Sequence, residues 1–159
     1  GARMVWHDLK PGKQGQAEVM EDKDGTAAWM VKALPSAHPN GGLIYRLEAA
    51  GRSVVYGLDC ELPEEFWEIY RDFACGADLL IFDAAYSEEE YPKVKGFGHA
   101  TWQQGAAMAR HTGAVRTVFA HHRRERTDKE LEALNQIVLG QEPKMCFGKE
   151  GMEILLQEA

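Results

Sequence analysis

The sequence predicts a mixed α/β layered fold built as a single domain. Its 159 residues are enough for one ordinary domain with a sizeable core, and 45% of them are hydrophobic against 27% charged, which is typical of a globular protein. Two candidate hairpins stand first along the chain, and strands alternate with helices after them. Because a sheet buries its apolar face against another layer, this order predicts one mixed sheet with covering helices.

The first part of the chain predicts two β-hairpins. After a turn-rich opening, WHDLKPGKQG, two strand-like runs within residues 18–34 flank the stretch EDKDG, whose Asp-Gly pair is a hairpin signal. The runs LIYRLEA (43–49) and SVVYGLD (53–59) are joined by the short turn AGR and form a second, cleaner hairpin.

The middle of the chain predicts a helix followed by a buried strand. Residues 63–74, PEEFWEIYRDFA, have a proline at a possible first helical position, acidic residues in the first turn and apolar residues at helical spacing. Residues 78–85, DLLIFDAA, are almost unbroken apolar sequence, as in a strand that is covered on both faces.

The remainder predicts two further helices with a strand between them. Residues 101–113 form a helix that ends at Gly113, a strand then runs to His121, and a second helix extends from Thr127 to about Leu139. The stretches KMCFG and MEILLQ close the chain as two short strands, or as one strand and a frayed end.

Bulk properties exclude some classes of protein. The formal net charge of −7 argues against a surface that binds nucleic acid by neutralising phosphates, and no apolar run approaches the ~20 residues of a membrane span. No signal-peptide pattern opens the sequence. The three cysteines are odd in number and lack metal-type spacing, so we expect reduced thiols and a cytoplasmic protein.

Three residues of metal-ligand type stand just beyond the ends of three predicted strands. These are His38, Asp59 and His121. Imidazole nitrogens and carboxylate oxygens are common zinc ligands, and loops at strand ends hold binding groups on a rigid scaffold. Taken singly, each is more often a cap, a surface residue or a turn residue. Only their joint pattern indicates a metal site.

That pattern resembles the C-terminal half of the αββα sandwich of metallo-β-lactamase-fold hydrolases. The likeness is strongest over DLLIFDAAYSEEEYPKVKGFGHATWQQGAAMA and VRTVFAHHRRERTDKEL, and it extends from about Val5 to about Leu134. These stretches look like the phosphoribosyl cyclic phosphodiesterase branch, which is related to the transfer-RNA 3′-processing ribonucleases. The resemblance implies a mixed sheet with covering helices and a hydrolase that uses two zinc or manganese ions.

The same resemblance implies a role for each residue of the site. His38 would ligate one metal, Asp59 would bridge two, and His121 would ligate the second. His99 would be the proton-donating histidine, oriented by Asp83. Its neighbours Gly96 and Gly98 would let the loop approach a substrate phosphate, or they simply form a flexible surface turn.

The chain departs from the family at its first ligand cluster, His-x-His-x-Asp-His, which is absent. We therefore expect residues 1–159 to be a partial domain that exposes one apolar sheet face. Either the chain is a C-terminal fragment of a longer protein, or it is a natural half that pairs with another copy or chain. The sequence favours the fragment, because WHDLKPG begins as though within a protein.

The sequence is compatible with two functions from different classes. The first is a metal-dependent phosphodiesterase acting on a small or cyclic phosphodiester, with this chain alone incomplete or inactive. The second is a metal-free half-domain that oligomerises or binds a partner through the exposed sheet face. Arg123, Arg124 and Arg126 either clamp a phosphate or form a solvated charged loop before a helix, and His122 is expected to point away from His121.

Overall fold

The computed structural model describes residues 16–21 and 28–156, which form one seven-stranded sheet with three helices. The strands are β1 (Gln16–Glu21), β2 (Ala28–Pro35), β3 (Leu43–Ala49), β4 (Arg52–Gly57), β5 (Leu79–Asp83), β6 (Arg116–Ala120) and β7 (Met145–Phe147). The helices are α1 (Glu64–Ala74), α2 (Trp102–Thr112) and α3 (Asp128–Gln141). The predicted mixed α/β fold is confirmed.

The strands lie in the sheet in the order in which they occur along the chain. Strands β1 to β4 pair antiparallel, and β4 to β7 pair parallel. The second predicted hairpin is therefore β3–β4, and the first is β1–β2. The Asp-Gly turn of the first hairpin and the opening WHDLKPGKQG lie outside the described residues. Of the two alternatives for the end of the chain, the structure shows the single strand β7 and no strand from residue 148 to residue 156.

The helix ends follow the capping signals of the sequence. The Thr101 hydroxyl accepts the backbone N–H of Gln104 at the start of α2, and the Gln104 side chain accepts the backbone N–H of Thr101 in return. Helix α2 ends at Gly113, whose φ of 68° is the left-handed conformation that favours glycine. The sequence predicted Pro63 as the first residue of α1, whereas in the structure it is the N-cap residue that precedes the helix.

The core lies between one face of the sheet and the three helices. Alternate strand residues such as Ile44, Val55, Leu80 and Phe82 are fully buried there. A Cβ on Gly105 would lie 2.5 Å from a ring carbon of Phe82, so α2 packs against the sheet at very short range. This close contact fixes where α2 begins, and with it the loop that precedes the helix.

The opposite face of the sheet carries exposed apolar side chains. Leu47 and Tyr56 are 38% and 44% exposed, whereas Val55 and Gly57, the neighbours of Tyr56 on β4, are buried. Trp29 on β2 belongs to the same face. Within the described residues, no helix is both long and apolar enough to cross a lipid bilayer.

Candidate metal centre

Four polar side chains meet at the edge of the sheet where the parallel strands end. Asp59 follows β4 by two residues, Asp83 is the last residue of β5, and His121 follows β6 directly. His99 comes from the loop that precedes α2. Because the carboxyl ends of parallel strands meet at one edge, the ligand atoms of these four residues lie within 4.8 Å of one another.

Asp59 and His121 form the open part of this cluster. The His121 Nε2 atom lies 3.2 Å from Asp59 Oδ1, and both side chains are partly exposed. Each residue has a positive φ, 49° for Asp59 and 61° for His121, a conformation that is uncommon for residues other than glycine. Such backbone strain concentrates at functional sites, where the surrounding structure maintains it.

The spacing of these two atoms suits a zinc-sized ion. Two ligand atoms that each lie 2.0–2.1 Å from a tetrahedral ion are separated by roughly 3.3 Å, and the observed separation is 3.2 Å. The donors are a neutral imidazole nitrogen and a carboxylate oxygen, both ordinary zinc ligands. Asp59 and His121 therefore fit a divalent ion, but they supply only part of a four-ligand shell.

Asp83 faces His99 and the backbone. It is completely buried, and its Oδ2 lies 2.9 Å from His99 Nδ1. The backbone N–H groups of Ala85 and Ala100 donate to Oδ1, at 3.2 Å and 3.3 Å, and the N–H of Cys60 donates to Oδ2 at 3.4 Å. This saturated environment leaves Asp83 no free position for a metal and makes it an acceptor for His99.

The Asp83 contact determines the protonation of His99. An ionised carboxylate can only accept hydrogen bonds, so Nδ1 of His99 carries a proton and Nε2 is the free nitrogen. The hydrogen bond to Asp83 raises the pKa of His99 above its ordinary value, against the opposing effect of partial burial. The His99 ring also stacks on the His121 ring, with 4.9 Å between centroids.

His38 lies beside the cluster but is not one of its four members. Its ring meets the His99 ring edge-on, with 5.4 Å between centroids. The backbone N–H of Asn40 donates to His38 Nδ1 at 3.3 Å. Of the five site residues predicted from the sequence, the structure thus brings four together, and the role of His38 as a ligand remains a prediction.

The backbone N–H groups of Gly96 and Gly98, in the loop before His99, donate to the buried carboxylate of Glu61. Gly96 is exposed in this loop, and the approach of the loop to a substrate phosphate stays a prediction. Gly98 is itself buried, and a Cβ there would collide with the His38 ring. Glu61 is the residue that the sequence reasoning missed. Its signal is slight: a charged residue between Cys60 and Leu62, which are both buried.

The arginine-rich loop after β6 is mostly engaged in ion pairs. Arg123 and Arg126 both contact Glu90, at 3.2 Å and 2.5 Å, and Arg124 is 93% exposed. These contacts favour the charged-loop interpretation over a phosphate clamp. His122 points away from the cluster as expected, because its Nε2 donates to the carbonyl oxygen of Gly148.

Comparison with known proteins identifies the fold. Residues 6–122 match the family described as Beta-lactamase superfamily domain. Ribonuclease Z of Haloferax volcanii is 29% identical over 110 residues, which are 69% of this chain and 30% of the relative. Ribonuclease Z of Thermoplasma volcanium is 35% identical over 78 residues, which are 49% of this chain and 24% of the relative.

Solved structures agree with this result. Human tRNase Z, short form, superimposes with a TM-score of 0.59 at 18% identity, over 88% of this chain and 49% of that chain. A diphosphatase of the PhnP family gives a TM-score of 0.57 at 18% identity, over 88% and 47% of the two chains. The predicted resemblance is confirmed, and the chain spans about a third or less of its curated relatives and about half of these solved chains.

Proposed function

Because the chain belongs to the Beta-lactamase superfamily domain family, we propose that it forms part of a metal-dependent hydrolase that cleaves phosphodiester bonds. The observation that carries this proposal is the Asp83–His99 pair, 2.9 Å apart, placed beside the open donors Asp59 and His121. Cleavage of a phosphodiester bond releases an alkoxide leaving group, which must gain a proton. A histidine held by a buried carboxylate is suited to donate that proton.

Each residue has a distinct task in this scheme. Asp59 and His121 would hold a divalent ion, zinc or manganese, with Asp59 bridging to a second ion and His38 serving as a further ligand. The bound metal would supply a Lewis acid and a water molecule of lowered pKa. His99 would donate its proton to the leaving oxygen, and Asp83 would keep the imidazole oriented and charged until that transfer.

We propose a small or cyclic phosphodiester as the substrate. The net charge of −7 argues against a phosphate-neutralising surface for transfer RNA on this chain, and the arginines after β6 are paired with Glu90 and Glu125. The named relatives process RNA, so parts of a longer protein outside this chain could supply such contacts. Hydrolysis of a cyclic nucleotide but not of a transfer-RNA precursor would support the small substrate.

Metal binding by the 159-residue chain is the first test of the proposal. We expect calorimetric titration with zinc to show binding, and His121→Asn and Asp59→Asn to weaken it at least about tenfold. Asparagine tolerates positive φ, so both variants keep the strained backbone. His111→Asn is the matched control, because His111 is exposed on α2, where its Nδ1 contacts the Ala107 carbonyl oxygen.

Activity is tested next with a 2′,3′-cyclic nucleotide, a phosphodiester whose leaving oxygen is an alkoxide that must gain a proton. In the zinc-loaded protein, His99→Asn should reduce kcat by about 10²-fold or more and leave zinc affinity within about threefold. Loss of zinc binding in this variant would instead make His99 a metal ligand. Hydrolysis that His99→Asn leaves unchanged would contradict its role as proton donor.

The exposed sheet face supports a second candidate function, a metal-free module that associates with another copy or chain. Leu47 and Tyr56 lie on this face, and contiguous exposed apolar surface marks interaction sites. If this function holds, the chain takes up no zinc at saturating concentration and sediments as an oligomer. A Leu47→Asp and Tyr56→Asp double variant would then become a monomer.

A further inference from the structure

The buried carboxylate of Glu61 is the centre of a hydrogen-bond network beside the candidate metal centre. Its side chain accepts hydrogen bonds from the Tyr91 hydroxyl at 2.5 Å, from the Gly96 N–H at 2.9 Å and 3.0 Å, and from the Gly98 N–H at 3.1 Å. Glu61 is only 7% exposed. Burial of a carboxylate is costly unless hydrogen bonds compensate it, so loss of these hydrogen bonds would be unfavourable.

All three donors belong to one segment, residues 91–98, which leads directly to His99. In this segment Gly96 and Gly98 have φ values of 89° and 92°, which favour glycine. The opposite side of Gly98 lies against the ring of His38, where a Cβ would find no room. The segment is therefore held between the Glu61 carboxylate and the His38 ring.

Glu61 also connects the segment to two other parts of the site. It lies two residues after Asp59 in the sequence, and its backbone N–H donates to the carbonyl oxygen of Ala37 at 3.1 Å. Ala37 precedes His38. A single residue thus joins the three stretches of chain that carry His38, Asp59 and His99.

We propose that Glu61 is a positioning residue that fixes His99 relative to Asp59 and Asp83. The inference rests on the proposed role of His99 as proton donor, and Glu61 lies outside the four-residue cluster of the candidate metal centre. Loss of a hydrogen-bonding group that orients a reacting group typically costs 10–100-fold, and a displacement of about 1 Å can have a similar effect. Metal affinity should change little, because Asp59 and His121 are held by β4 and β6.

The test uses Glu61→Gln, which keeps the shape of the side chain but turns an NH₂ group toward the glycine N–H donors. Glu142→Gln is the matched control, since the Glu142 carboxylate pairs with Arg110 outside this segment. In Glu61→Gln we expect the Gly96 and Gly98 amide protons to exchange with solvent at least about tenfold faster. We also expect the His99 Nδ1–H proton resonance to shift or broaden.

In the zinc-loaded protein, Glu61→Gln should lower kcat about 10–100-fold and leave zinc affinity within about threefold. A role in general stability only would lower both kcat and zinc affinity, and it would overturn the proposal. Unchanged amide exchange and an unchanged His99 resonance would also overturn it. Tyr91→Phe removes only the hydroxyl donor and should change the amide exchange and the His99 resonance by less. This variant replaces Glu61→Gln in the test if Glu61→Gln fails to fold.

The nuclear magnetic resonance signals separate this inference from the proposed function. They report on the position of His99 without metal or substrate. If the wild-type chain neither binds zinc nor hydrolyses the phosphodiester, the proposed function fails, and an altered His99 resonance in Glu61→Gln would still show that Glu61 positions the histidine.

Discussion

Replacing Asp83 with asparagine should destabilise the metal-free protein by an amount that depends on pH. The substitution removes the charge that faces His99 Nδ1 at 2.9 Å and places an NH₂ group beside the N–H of Cys60. The other oxygen still accepts from Ala85 and Ala100. The variant therefore loses one charge-assisted hydrogen bond and leaves one buried N–H without an acceptor.

The two losses differ in magnitude and in their dependence on pH. The hydrogen bond between protonated His99 and the carboxylate contributes about 2 kcal/mol, and the unpartnered Cys60 N–H costs about 1 kcal/mol, because its wild-type bond is long. Because Asp83 raises the pKa of His99 in the folded state, the stabilisation is fully present below the unfolded value of about 6.5. The part that depends on the positive charge of the imidazole is lost as the pH rises through the folded pKa.

The neutral ring still donates its Nδ1–H to the carboxylate, so we expect a loss of about 3 kcal/mol near pH 5.5 and about 2 kcal/mol near pH 9 in urea unfolding with a chelator present. Asp78→Asn is the matched control at the other end of the same strand. Asp78 pairs with Arg52, which stays charged across this range, so its loss should not vary with pH. An equal loss at both pH values for Asp83→Asn would refute the assignment of the proton to His99.

Three further predictions concern packing and capping, and each is read from urea unfolding. Gly105→Ala should cost about 1–3 kcal/mol because its Cβ would press on the Phe82 ring. On α3, Gly140→Ala should instead stabilise the protein by about 0.5–1 kcal/mol, because among the described residues no atom outside the helix backbone lies within 4 Å of the added Cβ. If both glycines behave alike, packing against the sheet is not the reason. Tyr70→Phe should be neutral or slightly stabilising, since within the described residues the buried hydroxyl has no hydrogen-bond partner; a loss above about 1 kcal/mol would reveal one. Thr127→Ala removes the capping oxygen at the start of α3 and should cost about 1 kcal/mol, and no change would mean that the cap is replaced by water.

Most of the fold could be predicted from local signals in the sequence. The turn AGR, the capping threonine Thr101 and the terminal Gly113 act over a few residues, so the bounds of β3, β4 and α2 came out close to those observed. The apolar run of residues 78–85 also predicted the central position of β5, in which four of the five residues are buried.

Strand ends in the sequence predicted only part of the site. Asp59 and His121 follow predicted strands, and parallel pairing brings them to one edge of the sheet, whereas Asp83 and His99 were implied only by the family resemblance. Glu61 has no such signal, because its partners, the Tyr91 hydroxyl and two backbone N–H groups, lie 30 or more residues away in the sequence. The orientation of His38 likewise depends on the close approach of Gly98, which sequence spacing does not reveal.

The strand order of the sheet has a consequence for how the protein is made. Each strand from β2 to β7 pairs with the strand that precedes it in the chain. During synthesis, the pairing partner of each new strand has therefore already been made. The antiparallel strands can assemble first through short loops, whereas β5 and β6 must wait for α1 and α2. Asp59 meets His121 only when β6 docks. A divalent ion would therefore bind only after most of the sheet has formed. Its binding would stabilise the docked position of β6, and it would not contribute to the earlier folding steps.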